Sequence, residues 1–165
     1  MTTILNFWDF DGSLIDSPMP EPGKATWEEK TGKKYPHLGW WGRPESLDTD
    51  IHDIKPKHDI FLKWKESKHN PESIDILLTS RLQKLESSVK NVLSTHDISM
   101  DYYSFAHGAS NKGQRVLEWL SKLNLNNTIK EINVYEDRDI EIQVLEAVRE
   151  ELELKGIKYN IHKVD

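Results

Sequence analysis

The sequence predicts an α/β protein: a three-layer sandwich around a parallel, Rossmann-like sheet of about five strands. Three observations predict it. Short apolar runs alternate with stretches of helical spacing. Two of those runs end in clustered acids. The 165 residues suit one continuous core, so a single domain over 1–165 is expected, with a flap-like insertion at about 17–54.

The elements follow in order. Ile4-Leu5-Asn6-Phe7-Trp8 is an apolar run that ends in acids and then Gly12, the pattern of a buried strand entering a turn. From about Ser17 to His52 the chain is rich in Pro, Gly and Trp without a sustained period, and reads as an irregular flap. Lys57 to Lys68 carries Ile60, Phe61 and Trp64 on one helical face. Ile74 to Leu78 is a second buried strand and Leu82 to Leu93 a helix. Asp101 to Phe105 gives a third strand and Gln114 to Leu123 its helix. Ile132 to Tyr135 forms a fourth strand, again ending in acids. Ile140 to Leu154 reads as one amphipathic helix, with Ile140, Val144, Leu145, Val148 and Leu152 as its apolar stripe, before a closing strand at Lys158 to Val164.

Composition excludes several classes. With no cysteine, disulfides, thiolate zinc sites and a cysteine nucleophile are all ruled out. The longest apolar run falls far short of the ~20 residues needed to cross a bilayer, and the N-terminal residues lack a basic region followed by a long apolar one. A cytoplasmic protein without a membrane partner is the expectation. A net charge of −6 argues against tight duplex binding, whose affinity comes from phosphate neutralisation. The one basic block, Lys55, Lys57, Lys63, Lys65 and Lys68 with His58 and His69, can guide a polyanion or simply solvate a helix face.

In parallel sheets ligands sit beyond the carboxyl ends of the strands, so those ends carry the chemistry. The first strand runs into Asp9-Phe10-Asp11-Gly12-Ser13. One carboxylate there can attack phosphorus and the other can donate and accept a proton. By itself Asp-x-Asp is a common solvated turn. The second strand ends in Thr79-Ser80-Arg81, whose hydroxyls suit a phosphoryl oxygen or a helix cap. Lys112 precedes the helix at Gln114 and can neutralise both Asp9 and a phosphoryl group. Gly108 and Gly113 have P-loop spacing, but Gln114 and Arg115 stand where Lys and Ser or Thr are required, which rejects that reading. The fourth strand ends in Glu136-Asp137-Arg138-Asp139. Acids converging there on Asp9 and Asp11 make the hard oxygen set that magnesium prefers. The alternative is a charged loop capping the next helix.

In this order, each at a strand exit or helix start, these pieces resemble the haloacid dehalogenase (HAD) phosphohydrolase superfamily from Asn6 to about Ile142. The resemblance implies Asp9 as nucleophile, Asp11 as acid/base, Thr79 holding the phosphoryl group and Lys112 steadying both. It implies Mg2+ bound by Asp9, Asp137, the Asp11 main-chain carbonyl and Glu136 beside them. Ser13 stands where the family often has Thr, and Ser80 is the other candidate for the hydroxyl of the second motif. Phe10 to Leu14, Ser17 to Pro20, Gly39-Trp40-Trp41 and Glu136-Asp137-Arg138 are similar to the HAD domains of Swiss-army-knife RNA-repair proteins. Asp139-Ile140-Glu141-Ile142 departs from that pattern, which has a His three residues beyond Asp-Arg.

The segment after the first strand must supply both the flap and a crossover helix, and Phe105 to Lys112 leaves no room for a second cap. A minimal cap favours a large substrate. Trp40 and Trp41 can stack on a base, with at least one of the pair expected to pack the flap against the core instead. Arg43 can bind a second phosphate or face solvent, and Ser13, Ser80 and Arg81 complete the expected substrate contacts. The expected function is Mg-dependent phosphomonoester hydrolysis, on a nucleotide or a nucleic-acid terminal 3′-phosphate. The alternatives are a phosphoprotein or sugar-phosphate phosphatase, or a catalytically idle HAD-like binding module.

Overall fold

The structure, a computed structural model, describes residues 2–165. The elements are β1 (Thr3–Trp8), β2 (Ile15–Asp16), α1 (Pro20–Thr31), β3 (Lys55–Pro56), α2 (His58–Lys68), β4 (Ser73–Leu82), α3 (Glu86–Thr95), β5 (Tyr102–Ala106), α4 (Lys112–Leu123), β6 (Ile129–Glu136), α5 (Asp139–Glu146), α6 (Arg149–Leu154) and β7 (Lys158–Lys163). Five strands form one sheet in the order β5-β4-β1-β6-β7, and every pairing is parallel. The expected α/β fold with a five-stranded parallel sheet is therefore present.

Alternation along the strands divides the core in two. Leu5, Phe7, Ile76, Leu78, Ile132 and Val134 pack beneath α4, α5 and α6 with Val116, Leu120, Leu145 and Leu152. Trp8 and Leu77 face the other way, toward Ile60, Trp64, Val89, Val92 and Leu93 of α2 and α3. From β1 the chain moves outward to β5, then returns through α4 to β6 on the other side of β1. That reversal opens a crevice at the ends of β1 and β6, where ligands bind in such sheets.

A polar ladder crosses the sheet at one register. Asn6 is level with Asp75 and Asn133, and Asn133 with Asn160. Asn133 Nδ2 donates to Asn6 Oδ1 at 3.0 Å, and Asn160 Nδ2 to Asn133 Oδ1 at 3.0 Å. Asn6 Nδ2 donates to Ser67 Oγ at 2.8 Å, and Ser67 Oγ donates in turn to Asp75. Two residues further on, Trp8 stacks on Tyr135 at 4.3 Å and Tyr135 on His162 at 4.6 Å. A slip of one residue in any of these strands would turn its ladder group to the opposite face and strand the partners unbonded.

Several elements differ from the sequence reading, among them the short antiparallel pair β2 and β3. The flap is not wholly irregular: α1 occupies Pro20–Thr31, with Pro20 at its first position and Gly32 closing it at φ 70°. Pro at a helix start and Gly just past its end was the available signal. The expected long helix from Ile140 is two helices. The carbonyl of Leu145 accepts the Tyr159 hydroxyl at 2.9 Å and the Val148 N–H, so the α-helical ladder breaks there. Finally, β4 runs through Leu82, and a 3₁₀ turn at Gln83–Leu85 precedes α3. No helix among the described residues is long and apolar enough to cross a membrane.

Burial pushes the Asp75 carboxyl above the usual range, against the bonds it accepts from Ser67 and Trp8. The unfolded chain therefore gives up this proton at lower pH than the folded one. The group's stabilising contribution is complete below the unfolded pKa and disappears as pH rises through the folded one. Thermal melts of wild type and Asp75→Asn from about pH 4 to about pH 8 check this. The wild type is expected to lose more stability than the variant over that rise, and the reverse trend would count against the argument.

Candidate active site

The turn leaving β1 is tightly bonded. Leu14 N donates to the Asp9 carbonyl at 3.1 Å, Ile15 N to that of Phe10 at 2.9 Å, and Gly12 N to that of Ile15 at 2.8 Å. Gly12 sits at φ 78°, a conformation that suits only glycine well. A Cβ there would lie 2.4 Å from Asp137 Oδ2, so glycine also lets the acid from the end of β6 close on the turn. Lys57 Nζ holds the turn from below through the Gly12 carbonyl at 3.0 Å.

Lys112 opens α4 behind an Asn111–Gln114 capping box. Gly113 beside it lets α4 lie against α5, because a Cβ there would meet the Val144 carbonyl oxygen at 2.3 Å. A cation at a helix N-terminus opposes the dipole, and this one is held by acids instead. Its Nζ donates to Asp9 Oδ1 at 2.8 Å and to Glu136 Oε1. Burial alone would lower the Lys112 pKa, yet Asp9 and Glu136 hold it above its ordinary value. The acids feel the opposite pressure. Burial pushes Asp9 up against the pull of Lys112. Burial, then the Asp9 charge, push Glu136 up to about 8.

Asp9, Glu136 and Asp137 each bring a carboxylate oxygen within 4.8 Å of the others. Three carboxyl groups gathered at one point supply hard oxygen donors, the chemistry that suits a divalent cation such as magnesium. The three are not equivalent. Asp9 and Asp137 line the cleft. Glu136 is buried behind them, one oxygen on Lys112 and the other accepting the main-chain N–H groups of Asp137 and Arg138 at 3.0 and 3.1 Å. Its contacts shape the loop and seat the lysine.

Asp11 lies on the flap side. Arg81 grips its carboxylate with two bonds of 2.8 Å, and Ser17 Oγ donates to it at 2.6 Å. Arg81 also donates to the Trp41 carbonyl at 2.6 Å and to Ser46 Oγ at 2.7 Å. The expected substrate-contacting guanidinium is thus the clasp that ties the flap to Asp11, and it still forms part of the cleft wall.

The remaining expected site residues divide clearly. Ser80 lines the cleft, whereas Thr79 is 0% exposed and its hydroxyl oxygen accepts Arg81 N at 3.0 Å. Of the two hydroxyl residues at the end of β4, Ser80 is the one in the cleft lining, and Thr79 lies buried behind it. Ser13 is buried beneath the acids, donating to Asp9 Oδ2 at 2.7 Å and reaching Asp137 Oδ1 at 3.3 Å, so it orients carboxylates. Trp40 is packed against Gly23 with its Nε1 on the Pro18 carbonyl, and cannot stack on a ligand. Adjacent residues face opposite ways here, which leaves Trp41 alone in the cleft. Arg43 is exposed and stands outside the cleft lining.

The cleft has a volume of 710 Å³. Sequence reasoning missed Met19 and Leu82 in its wall and gave Ser17 no chemical role. None of the lysines between 55 and 68 lines it. Lys57 and Lys63 instead line a separate depression of 380 Å³ beside β7.

Comparison with solved structures sets this geometry in context. A haloacid dehalogenase-like hydrolase of Streptococcus pneumoniae superimposes with a TM-score of 0.56 at 14% identity, covering 98% of this chain and 94% of that one. The chain has the haloacid dehalogenase-like fold. A chain of the Pnkp1/Rnl/Hen1 complex is similar over 99% of this chain and 47% of its own length, with TM-score 0.56 and 13% identity. The HAD domain of the effector Lem4 from Legionella pneumophila gives 0.55 at 14% identity, covering 98% and 85%. No protein-family model matches. An uncharacterized protein of Saccharomyces cerevisiae is 25% identical over 96% of this chain, and the chain spans 39% of that relative's length.

Removing the buried ammonium while keeping its volume tests the electrostatic centre. In metal-free buffer Lys112→Met is expected to cost about 3–5 kcal/mol of unfolding free energy, because two buried acids lose their counter-charge. Urea denaturation measures it, and a loss below about 1 kcal/mol, the scale of an exposed pair, would contradict the assignment.

Proposed function

We propose that the chain is a magnesium-dependent phosphomonoester hydrolase working through an aspartyl-phosphate on Asp9. The observation that carries this reading is the Lys112-bridged convergence of Asp9 and Glu136, with Asp137 alongside, where Asp9 and Asp137 line one cleft and Glu136 lies buried behind them. A bound magnesium ion supplies charge neutralisation and polarises the phosphoryl oxygens. Asp9 and Asp137 would hold it, with Glu136 behind them.

The chain's own residues do the rest. Lys112 and Ser13 each fix one oxygen of Asp9, so the carboxylate is presented in one orientation. Asp9 attacks phosphorus, the bond to the leaving oxygen breaks, and Asp11 gives that oxygen a proton. Asp11 then takes a proton from water as the water attacks phosphorus, and the bond from Asp9 to phosphorus breaks. Arg81 and Ser17 keep Asp11 on the flap side, where the leaving group departs. Ser80 offers its hydroxyl to the phosphoryl group.

The substrate we favour is a nucleotide or a nucleic-acid terminal phosphate. Its support is the likeness to a chain of the Pnkp1/Rnl/Hen1 complex and the presence of Trp41 in the cleft. The lysine block, outside the cleft, adds nothing to it. The chain acts in this reading as one catalytic unit with 17–54 as its flap.

Hydrolysis of p-nitrophenyl phosphate with and without Mg2+ tests the chemistry. Wild type is expected to turn over only with the metal. Asp9→Asn is expected to abolish turnover, and Asp11→Asn to slow it by about 100-fold or more. Full activity in Asp9→Asn would remove the nucleophile, and an inert wild type would favour the idle binding module.

A further inference from the structure

We propose that Met19, Trp41 and Leu82 form a seat for the leaving group, and that this group carries a planar aromatic ring. The inference rests on the phosphomonoesterase reading and narrows its substrate class. Three large apolar side chains stand exposed around the catalytic acids: Met19 at 59%, Trp41 at 39% and Leu82 at 47%. They come from three separate segments: the residue before α1, the flap loop after it, and the last position of β4. Each alone would be an ordinary exposed residue. Converging on the mouth of one cleft whose floor is Asp9, Asp11 and Asp137, they make an apolar wall over a polar floor, the composition of a small-molecule site.

Two features select an aromatic ring from other apolar bodies. Trp41 is held in place: its carbonyl accepts Arg81, and the Arg81 guanidinium lies 5.1 Å from its ring centroid. A fixed indole stacks a flat partner at little cost in conformational entropy, and every flat partner offers it a π face. Charge points the same way. Of the cations lining the cleft, Lys112 is engaged by Asp9 and Glu136, and Arg81 by Asp11, which leaves Arg138 exposed at the rim. Asp16 adds a further negative charge to the wall. A body with several more phosphates would meet more acids than free cations there, so within the favoured class the seat selects a mononucleotide over a longer strand end. A nucleobase and a phenol ring share the chemistry that fits, a flat and weakly charged ring.

Paired substrates of similar leaving-group acidity test this with Mg2+ present. Benzyl phosphate is compared with n-butyl phosphate, and adenosine 3′-monophosphate with ribose 3-phosphate. O-Phosphotyrosine forms a separate arm, so that a base and a phenol can be told apart as sources of the ring. The aromatic member of each pair is expected to show the higher kcat/KM, on the order of 10-fold to 100-fold. Trp41→Ala is expected to bring the ratio toward one while Trp41→Phe keeps most of it. Leu82→Ser, at an exposed position, is expected to lower the same ratio and serves if Trp41→Ala fails to fold. Ratios within about twofold of one in an active wild type would overturn the seat and leave the hydrolase standing. Turnover of p-nitrophenyl phosphate but of none of these monoesters would overturn the seat alone, and turnover of neither would overturn both.

Discussion

One buried ammonium holds the site together. Lys112 reaches from the first position of α4 to the ends of β1 and β6, two strands that the chain lays side by side only after building the other half of the sheet. Without a counter-charge, Asp9 and Glu136 would repel across a space from which water is largely excluded. With it, one acid faces the cleft and the other is spent on the loop behind. The capping box and Gly113 serve this arrangement. The first fixes where α4 begins, and the second lets the helix come close enough to α5 to carry the lysine into the core.

A second clasp works on the flap side. Arg81 joins Asp11 to the flap through the Trp41 carbonyl and Ser46, so the acid/base candidate and the cleft's aromatic wall share one support. Any displacement of the flap is therefore felt at Asp11, and any change at Asp11 is felt by Trp41. Beneath both clasps the Asp75-Asn6-Asn133-Asn160 ladder fixes strand register, and register decides which strand ends are level. The polar ladder inside the sheet thus bears on the site without touching it.

Much of this was legible in the sequence, and specific residues show why. Strand-length apolar runs ending in Asp9-x-Asp11 and in Glu136-Asp137 carry their meaning locally, since period and punctuation are properties of neighbours in the chain. So does Lys112 ahead of a helical stretch. Thr79 and Ser80 are different. Both are hydroxyls at a strand exit, and only the direction of the last β4 residues decides which one faces the cleft. Trp40 and Trp41 pose the same problem: adjacent, chemically identical, one packed on Gly23 and the other open.

Local pattern was enough to give the alternation of strands and helices, the parallel sheet, and the acids, hydroxyls and lysine gathered at the strand ends. Tertiary structure alone decided the roles within that set. It placed Arg81 on Asp11, Ser13 beneath the acids, Glu136 behind them, and Lys57 and Lys63 beside another depression. The physical reason is that a side chain's role depends on which charges and surfaces reach it from distant parts of the chain. Arg81 and Asp11 meet across 70 residues, and Lys112 and Asp9 across 103. Periodicity carries no information about such encounters, because they are set by how the layers pack.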